Sequence, residues 1–410
     1  MTKCVPPARL HLAPVLLAIT ALLLSACGGS EPGAIRRSSS TAPPSGAETV
    51  TTPSPAQGGT GPSPQVVNVV SAGADPTGAR DSTAAIGTAI TEAESQPGSE
   101  VYFPPGRYLL DDPVRNQVDF TIDRPIRLIG AGPSRTVIVN ELGARDPAAP
   151  VATTVFEIVT NRSTGSGAGD GTTISGMTID AATYDAGTPI MDFANHTTIS
   201  DLVVDAPRST NTYNPNAFGI RVIAVCNPSD RSRIFRTGNL VEDVTIDGSG
   251  MAGQTELDLS CQRDTTVDDV TIHGNGLDVF YCDHDTLENL NLVGSPVPAG
   301  QAPSYTWVVT GSYDITFENV HTTGSGGVIA PDVRDVTRNL LVENETMTGT
   351  GSFMSIGDSL DTTIENSHLL GIRLDPKRSL VGLDVEHTSY AGVSCPTDGQ
   401  IEGLSGIACP

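Results

Sequence analysis

Residues 66–108, VVNVVSAGADPTGARDSTAAIGTAITEAESQPGSEVYFPPGRY, give the clearest indication of the fold. This segment opens with a short aliphatic strand and runs through a glycine-rich turn at 73–78. Small apolar residues then recur every three or four positions, which predicts an amphipathic helix with Asp81 or Ser82 as its N-cap. A second strand follows and ends in a proline–glycine turn. This order predicts a single helix beside the first strands of a larger β structure.

The rest of the chain repeats a short pattern of an aliphatic residue, a spacer, then Asp, Asn or Gly, then another apolar residue. Clear copies contain Gly176, Asp201, Asp243, Asp269, Asn289, Asn319 and Asn366, and looser ones contain Asn339 and Gly382. A period of about twenty residues with short alternating strands indicates a solenoid. Stacked Asx side chains at a turn bond the backbone and one another, so we interpret this series as structural. We expect one buried column formed by Ile174, Ile199, Val267, Leu287 and Ile364.

The segment at 66–108 resembles the N-terminal part of the pectate-lyase superfamily, in which a helix closes the open end of a β-helix. The resemblance implies an all-β fold over residues 65–410, a right-handed parallel β-helix with an N-terminal capping α-helix. The Asn-Thr-Asp, double-Asp and Gly-His-Gly motifs of the polygalacturonase-type hydrolases are absent from the sequence. The resemblance therefore concerns the fold and does not assign an activity.

The N-terminal residues have the features of an export signal. Lys3 and Arg9 precede an apolar run, and residues 24–28, LSACG, resemble the bacterial lipoprotein cleavage motif. This predicts a signal peptide and lipobox over 1–27, with the lipid carried by Cys27. Residues 28–64 are rich in Pro, Ser, Gly and Thr, which predicts a disordered linker. The folded part is then expected on the extracellular face of a bacterial membrane, held there by the lipid.

The net charge argues against one class of partner, and the positions of the cysteines predict which of them form disulfides. A formal charge of −24 disfavours nucleic acid. Disulfides form and persist in exported proteins, because their surroundings are oxidising. We expect one bridge between Cys395 and Cys409 at the C-terminal end, and one between Cys261 and Cys282 in adjacent coils. Cys226 would then remain free.

The candidate site comes from the alignment of neighbouring repeats. Asp258 lies eleven residues before Asp269, and Asp278 lies eleven before Asn289, so both carboxylates are expected to point outward from adjacent coils. Arg221 is expected beside Asp258. Together with His284 these residues are our candidate catalytic groups. Solvated surface acids are the alternative for the two aspartates, and a plain turn residue is the alternative for His284.

Polar and aromatic residues near these acids are candidate substrate contacts. The candidates are Glu256, Tyr281, Arg231, Arg233 and Tyr213. Two close carboxylates need a shared proton, an arginine or a metal ion, and Ca²⁺ held by Asp258 and Asp278 is one such solution. These features predict a surface-anchored protein acting on an extracellular polysaccharide, as a lyase or a glycoside hydrolase. The alternative is a non-catalytic carbohydrate-binding or envelope protein on the same scaffold.

Overall fold

The computed structural model describes residues 64–111, 118–141, 154–159, 169–182, 187–206, 218–224, 226–227, 232–248, 255–274, 276–294, 305–324, 326–330, 335–349, 353–396 and 401–409. The predicted signal segment at 1–27, with Cys27, and the predicted linker up to residue 63 lie outside the described residues. Within the described residues, no helix is both long enough and apolar enough to cross a membrane.

The described elements are numbered in chain order. They are β1 (Val66–Asn68), β2 (Thr77–Asp81), α1 (Thr83–Glu94), β3 (Glu100–Phe103), β4 (Gly106–Leu110), β5 (Val118–Ile122), β6 (Arg127–Gly130), β7 (Thr136–Asn140), β8 (Thr154–Ile158), β9 (Thr173–Asp180), β10 (Ile190–Asp192), β11 (Thr198–Asp205), β12 (Phe218–Ile223), β13 (Cys226–Asn227), β14 (Ser232–Arg233), β15 (Arg236–Thr237), β16 (Leu240–Asp247), β17 (Thr255–Ser260), β18 (Gln262–Arg263), β19 (Thr266–Gly274), β20 (Leu277–Phe280), β21 (Thr286–Glu288), β22 (Asn291–Gly294), β23 (Trp307–Thr310), β24 (Tyr313–Glu318), β25 (His321–Thr323), β26 (Gly327–Ile329), β27 (Thr337–Glu343), β28 (Thr346–Thr348), β29 (Met354–Ile356), β30 (Ser359–Glu365), β31 (His368–Leu369), β32 (Ile372–Leu374), β33 (Leu380–Glu386), β34 (Ser389–Tyr390), β35 (Val393–Ser394) and β36 (Ile401–Glu402).

Two long parallel ladders run along the molecule, and each coil of the chain contributes to both. One ladder joins eleven strands in the order β5, β8, β10, β12, β17, β20, β23, β26, β29, β32, β35, and we call it the second sheet. The other, the first sheet, contains the long strands β9, β11, β16 and β19 and their successors. Parallel strands joined coil to coil with right-handed crossovers make a right-handed parallel β-helix. The predicted fold class is confirmed.

The interior is an aliphatic stack, as the repeat pattern predicts. The register aligns Ile174 with Ile199, then Val267 with Leu287 further along, and these side chains are fully buried. Ile364 continues the same column through β24, β27 and β30. Trp307, also buried, stacks on Phe317 with ring centroids 4.8 Å apart. Each coil thus buries its apolar side chains against those of its two neighbours.

The single described helix, α1, lies at the N-terminal end, as predicted. Its apolar stripe includes Ile86, Ala89 and Ala93, all fully buried. Asp81 accepts a hydrogen bond from the Thr83 backbone N–H at 3.0 Å. The Ser82 hydroxyl is turned away from the helix and accepts from the Asp75 backbone N–H at 2.9 Å. The carboxylate of Asp81 therefore satisfies a helix N–H, and Ser82 fixes the preceding turn.

The repeated Asx positions form a ladder at one bend of the first sheet. We call this the Asx ladder, and its Asx members have φ between 49° and 55°: Asp201, Asp243, Asp269, Asn289, Asn319, Asn344 and Asn366. The amide of Asn319 donates to Asn289 Oδ1 at 3.2 Å, and the amide of Asn344 donates to Asn319 Oδ1 at 3.2 Å. Short Asx side chains tolerate this left-handed backbone and bond locally, which explains the repeat.

Two assignments to this ladder are wrong. Asn344, and not Asn339, pairs with Asn319, while Asn339 donates to Asp314 Oδ1 at 2.7 Å. Near the C-terminal end His387 follows Glu386, which pairs with Glu365, so His387 and not Gly382 takes the ladder position. Each coil has another bend with positive φ five residues earlier, and the same residue types occupy both bends.

The cysteines follow one prediction and contradict the other. Cys395 and Cys409 are bridged with Cα atoms 5.8 Å apart. Cys282 is a buried free thiol, and Cys261 is disulfide-bonded elsewhere, so the expected Cys261–Cys282 bridge is wrong. The register sets Arg263 against Asp283, which places Cys282 one residue out of step with Cys261. A one-residue offset directs the two thiols to different sides of the chain. The side chain of Cys226 lies outside the described residues.

Candidate active site

The candidate acids lie on adjacent strands of the second sheet in the expected register. Arg221 of β12 pairs with Asp258 of β17, and Asp258 pairs with Asp278 of β20. On both sides of Asp258 the neighbouring residues Leu257 and Leu259 are buried in the core. Because side chains alternate along a strand, the three polar residues project from the outer face. We call Arg221, Asp258 and Asp278 the site column.

Asp258 is held by an ion pair and a hydroxyl. Its Oδ2 lies 2.8 Å from Arg221 Nε, and Ser260 Oγ donates to its Oδ1 at 2.7 Å. Arg221 is positioned in turn by the Phe218 ring, whose centroid lies 4.1 Å from the guanidinium carbon. Asp258 is only 3% exposed, so a removed partner would leave a buried charge. These contacts fix the position of the Asp258 carboxylate in the site.

Asp278 has a raised pKa. Burial is the main cause and the neighbouring Asp258 carboxylate adds to it, so that the pKa of Asp278 is about 7. A hydrogen bond from Thr255 Oγ1 to Oδ2 at 2.6 Å and the charge of Arg221 act in the opposite direction. The acid is therefore about half protonated near neutral pH, which suits a group that donates and recovers a proton.

Ser260, Thr255 and Phe218 contribute to this site and were not among the predicted residues. Thr255 and Ser260 begin and end β17, the strand of Asp258, and Phe218 begins β12, the strand of Arg221. Ser260 lies two residues from Asp258, so strand alternation alone directs both to the same face. That signal was available in the sequence. Thr255 reaches the acid of the next coil, a contact that depends on the parallel register.

His284 does not join the site column. It lies on the turn after β20, where Nδ1 is 2.7 Å from Asp283 Oδ1 and Nε2 is 3.5 Å from Asp314 Oδ2. The hydrogen bond and charge of Asp283 raise the pKa of His284. The side chain is exposed, and its left-handed backbone, with φ 60°, belongs to the same turn. Its predicted catalytic role beside Asp278 is not supported by these contacts.

Glu256 is not on the outer face, contrary to the prediction. It is 1% exposed, and its Oε2 accepts a hydrogen bond from the Gly276 backbone N–H at 2.7 Å. The backbone N–H groups of Glu256 and Leu257 both donate to Gly276 O, which is a bulge in the ladder. A bulge breaks the alternation on which the prediction depended. A Cβ at Gly274 would lie 2.0 Å from Glu256 Oε1, so glycine makes room for this buried carboxylate.

Of the other predicted substrate contacts, Tyr281 lies at a turn, and the rest lie outside the described side chains. Tyr281 is half-buried at a left-handed turn position with φ 55°, and its ring covers Gly311 of the next coil. Arg231 and Tyr213, and the side chain of Arg233, lie outside the described residues. Their predicted contacts with substrate stay predictions.

The site column is a poor fit for calcium. Ca²⁺ takes six to eight oxygen ligands. Asp258 already accepts from Arg221 and Ser260, and Asp278 accepts from Thr255. The positive charge of Arg221 already pairs with Asp258. In the described part of the chain, Asp283, His284 and Asp314 have ligand atoms within 4.8 Å of one another, but this exposed group is bonded within itself and to Arg263.

The sequence matches a known protein family. Residues 66–294 match the family described as "Rhamnogalacturonase A/epimerase, pectate lyase-like", which is more than half of the 410 residues. The chain belongs to this family. The match confirms the superfamily resemblance and supports a carbohydrate-active protein. A search of curated proteins gave no significant match.

The chain is similar to several solved structures at low sequence identity. The tailspike protein of E. coli bacteriophage HK620, in complex with pentasaccharide, is 11% identical with a TM-score of 0.56, over 82% of this chain and 65% of the tailspike chain. The A-module of the Azotobacter vinelandii mannuronan C-5 epimerase AlgE6 is 15% identical with a TM-score of 0.47, over 83% and 100%. A family 28 exopolygalacturonase of Yersinia enterocolitica is 10% identical with a TM-score of 0.41, over 85% and 79%.

Proposed function

We propose that this protein is a glycoside hydrolase acting on a polysaccharide, with Asp278 and Asp258 as its paired carboxyl groups. One observation carries the proposal: adjacent strands present one carboxyl whose pKa is about 7 beside another that is ion-paired to arginine. Glycosidases use such a pair, one member protonated and one ionised, on either side of the reacting bond. Family membership is consistent with this chemistry.

In this scheme Asp278 gives its proton to the glycosidic oxygen as the bond to the anomeric carbon breaks. The Asp258 carboxylate faces the positive charge that develops at that carbon, and Arg221 and Ser260 hold the carboxylate in place. Water then adds to the anomeric carbon and returns a proton to Asp278. Adjacent parallel strands lie ~4.8 Å apart, a spacing closer to that of retaining than of inverting carboxyl pairs. We therefore expect retention of the anomeric configuration.

Hydrolysis fits the contacts better than elimination does. A lyase needs a base that removes the proton next to the uronate carboxyl. Arg221 is engaged with Asp258, and the ring nitrogens of His284 face Asp283 and Asp314. Because these contacts engage both side chains, neither group is free to remove that proton.

Export and anchoring complete the proposal. The LSACG sequence at 24–28 supports a lipid on Cys27 and a position on the extracellular face of the membrane.

The low exposure of Asp258, at 3%, favours a second candidate, a non-catalytic protein that binds polysaccharide on the same scaffold.

A screen on a panel of neutral and anionic polysaccharides tests the reaction. We expect new reducing ends without absorbance from unsaturated uronate, and retained configuration by proton NMR of the first product. Absorbance that rises together with reducing ends would show elimination. Binding without any new ends would show the non-catalytic alternative.

A further inference from the structure

The Thr255 hydroxyl lies on the outer face of the site, although strict alternation along the strand would place it in the core. Thr255 is two residues before Leu257, which is fully buried, and in a regular strand these two side chains share one face. The hydroxyl nevertheless donates to Oδ2 of Asp278 at 2.6 Å, on the next coil. The backbone between Thr255 and Leu257 therefore turns Thr255 outward.

Glu256 occupies the bulge that produces this turn. Its backbone N–H donates to Gly276 O at 3.0 Å, and its Oε2 accepts from the Gly276 N–H at 2.7 Å. Glu256 thus bonds both backbone polar groups of Gly276, and the Leu257 N–H donates to the same carbonyl at 3.2 Å. Bulges re-aim the side chains beside them and are frequent next to active sites. The carboxylate of Glu256 therefore supports the backbone that directs Thr255 to the outer face.

Two glycines leave the space that this carboxylate fills. A Cβ added at Gly248 would lie 2.2 Å from Glu256 Oε1, and one added at Gly274 would lie 2.0 Å from the same atom. A larger residue at either position would displace the carboxylate. Because Glu256 is itself only 1% exposed, its effect on the outer face passes through its neighbour Thr255.

The Thr255 hydroxyl is one of the groups that set the protonation of Asp278. Burial and, less strongly, the Asp258 carboxylate raise the pKa of Asp278, whereas the Thr255 hydroxyl and the charge of Arg221 lower it. On the other side of Asp278, β23 places Val308 opposite it and adds no charge. Of the two groups that lower the pKa, the hydroxyl is the one that depends on the bulge.

We propose that Glu256 is a positioning residue of the active site: its carboxylate holds the bulge at Gly276, and the bulge keeps the Thr255 hydroxyl on Asp278. The inference rests on the proposed function for the role of Asp278 as proton donor. It adds that a carboxylate buried beneath the outer face helps to set the proton affinity of that donor.

Direct titration of Asp278 tests this without relying on turnover. In protein labelled with carbon-13 at the aspartate carboxyl groups, NMR follows each carboxyl against pH, and the resonance missing from Asp278→Asn identifies this group. We expect Glu256→Leu and Thr255→Val each to raise the pKa of Asp278 by about half a pH unit. The double variant should show no further rise, because both changes remove the same hydrogen bond. Glu256→Gln keeps an oxygen that can accept from Gly276 and should titrate close to wild type.

Asp358→Leu is the matched control for loss of a buried carboxylate. Asp358 is also 1% exposed, and its Oδ1 accepts from the backbone N–H groups of residues 377–379, in a coil beyond the site. Its replacement should lower stability and leave the titration of Asp278 unchanged. If Glu256→Leu does not fold, Gly248→Ala takes its place, because the added Cβ displaces the same carboxylate and should raise the pKa of Asp278 likewise.

A pKa of Asp278 that keeps its wild-type value in Glu256→Leu, or in Gly248→Ala where the former does not fold, overturns the inference. Additive shifts in the double variant, or an equal shift in Asp358→Leu, also overturn it. Failure of the proposed function looks different, because wild type would then cut none of the polysaccharides while the shifts in titration remained. Where wild type does cut, the alkaline limb of kcat/KM should move to higher pH in Glu256→Leu, in step with the titration.

Discussion

The Asx ladder of the first sheet and the site column of the second are produced by the same device, the parallel register of adjacent coils. In the ladder each amide of Asn319 and Asn344 donates to the residue one coil before it. In the site column two carboxyl groups face each other, and Arg221 and a proton on Asp278 offset their repulsion. Neighbouring carboxylates without donors between them disfavour joint ionisation. The two columns thus differ in what lies between neighbouring side chains: amide hydrogen bonds join the Asn members of the ladder, and an arginine and a proton separate the acids of the site column.

An amide substitution in each column should have very different effects on turnover. Asp278→Asn should keep the fold and lower turnover at least about 100-fold, because the proton donor is gone. Asp269→Asn should leave turnover nearly unchanged, because Asn already fills the equivalent ladder positions 289, 319 and 366. Reducing-end assays on the polysaccharide that wild type cuts measure both, with circular dichroism as the check on folding. A larger loss from Asp269→Asn would refute the assignment of the site.

The ion pair of the site column should also be costly to interrupt. Arg221→Met leaves the Asp258 carboxylate buried without its counter-charge, and we expect a loss of about 3 kcal/mol in the free energy of unfolding. Adding Asp258→Asn to that variant should recover much of the loss.

The matched control for this change is the exposed pair of Arg127 and Glu100, 3.0 Å apart. Arg127→Met should cost under about 1 kcal/mol. Urea unfolding measures all four proteins. Equal losses from the two arginine variants would mean that Asp258 is not held as a buried charge.

Protonation of Asp278 should make the activity depend on pH. The protonated form is the active one, so kcat/KM should fall as pH rises through about 7. Because the folded-state pKa is raised from 3.8, this group also favours the folded state most at low pH, and that contribution declines as pH rises toward 7.

Thr255→Val sharpens this test. The hydroxyl of Thr255 lowers the pKa of Asp278, so its removal should move the alkaline limb of the activity profile to higher pH. Thr316→Val, on the first sheet, is a control that should not move it. A limb that stays in place with Thr255→Val would show that another group titrates.

Much of the fold and the centre of the site followed from periodicity. The alternation of inward aliphatic residues fixes which residues of a strand face outward, and the repeat fixes which of them are neighbours, so Arg221, Asp258 and Asp278 could be brought together without coordinates. The failures lie where the period is broken. The bulge at Glu256 reversed its face, and a single-residue offset separated Cys282 from Cys261. Both depend on backbone geometry that composition does not reveal.

The confusion of Asn339 with Asn344 has another cause. Each coil of this region bends twice with positive φ, five residues apart, and Asn occupies both bends here. The aliphatic neighbours are similar, so the sequence alone gave two acceptable registers. Only the pairing of Glu318 with Glu343 in adjacent strands selects Asn344 as the partner of Asn319.

The smallest expected effect concerns what holds the ladder itself. Asn319 has φ 55°, donates to Asn289 and accepts from Asn344. Asn319→Ala loses both bonds and forces a Cβ without local hydrogen bonding into a left-handed backbone, at about 1–2 kcal/mol. Asn319→Gly loses the same bonds but relieves the backbone, so it should cost less than the alanine variant. Urea unfolding gives the order, and turnover should be unchanged in both because the site column lies on the other sheet. If glycine costs as much as alanine, the amide bonds and not the backbone conformation select Asn here, and the ladder would depend on side-chain contacts as much as the site column does.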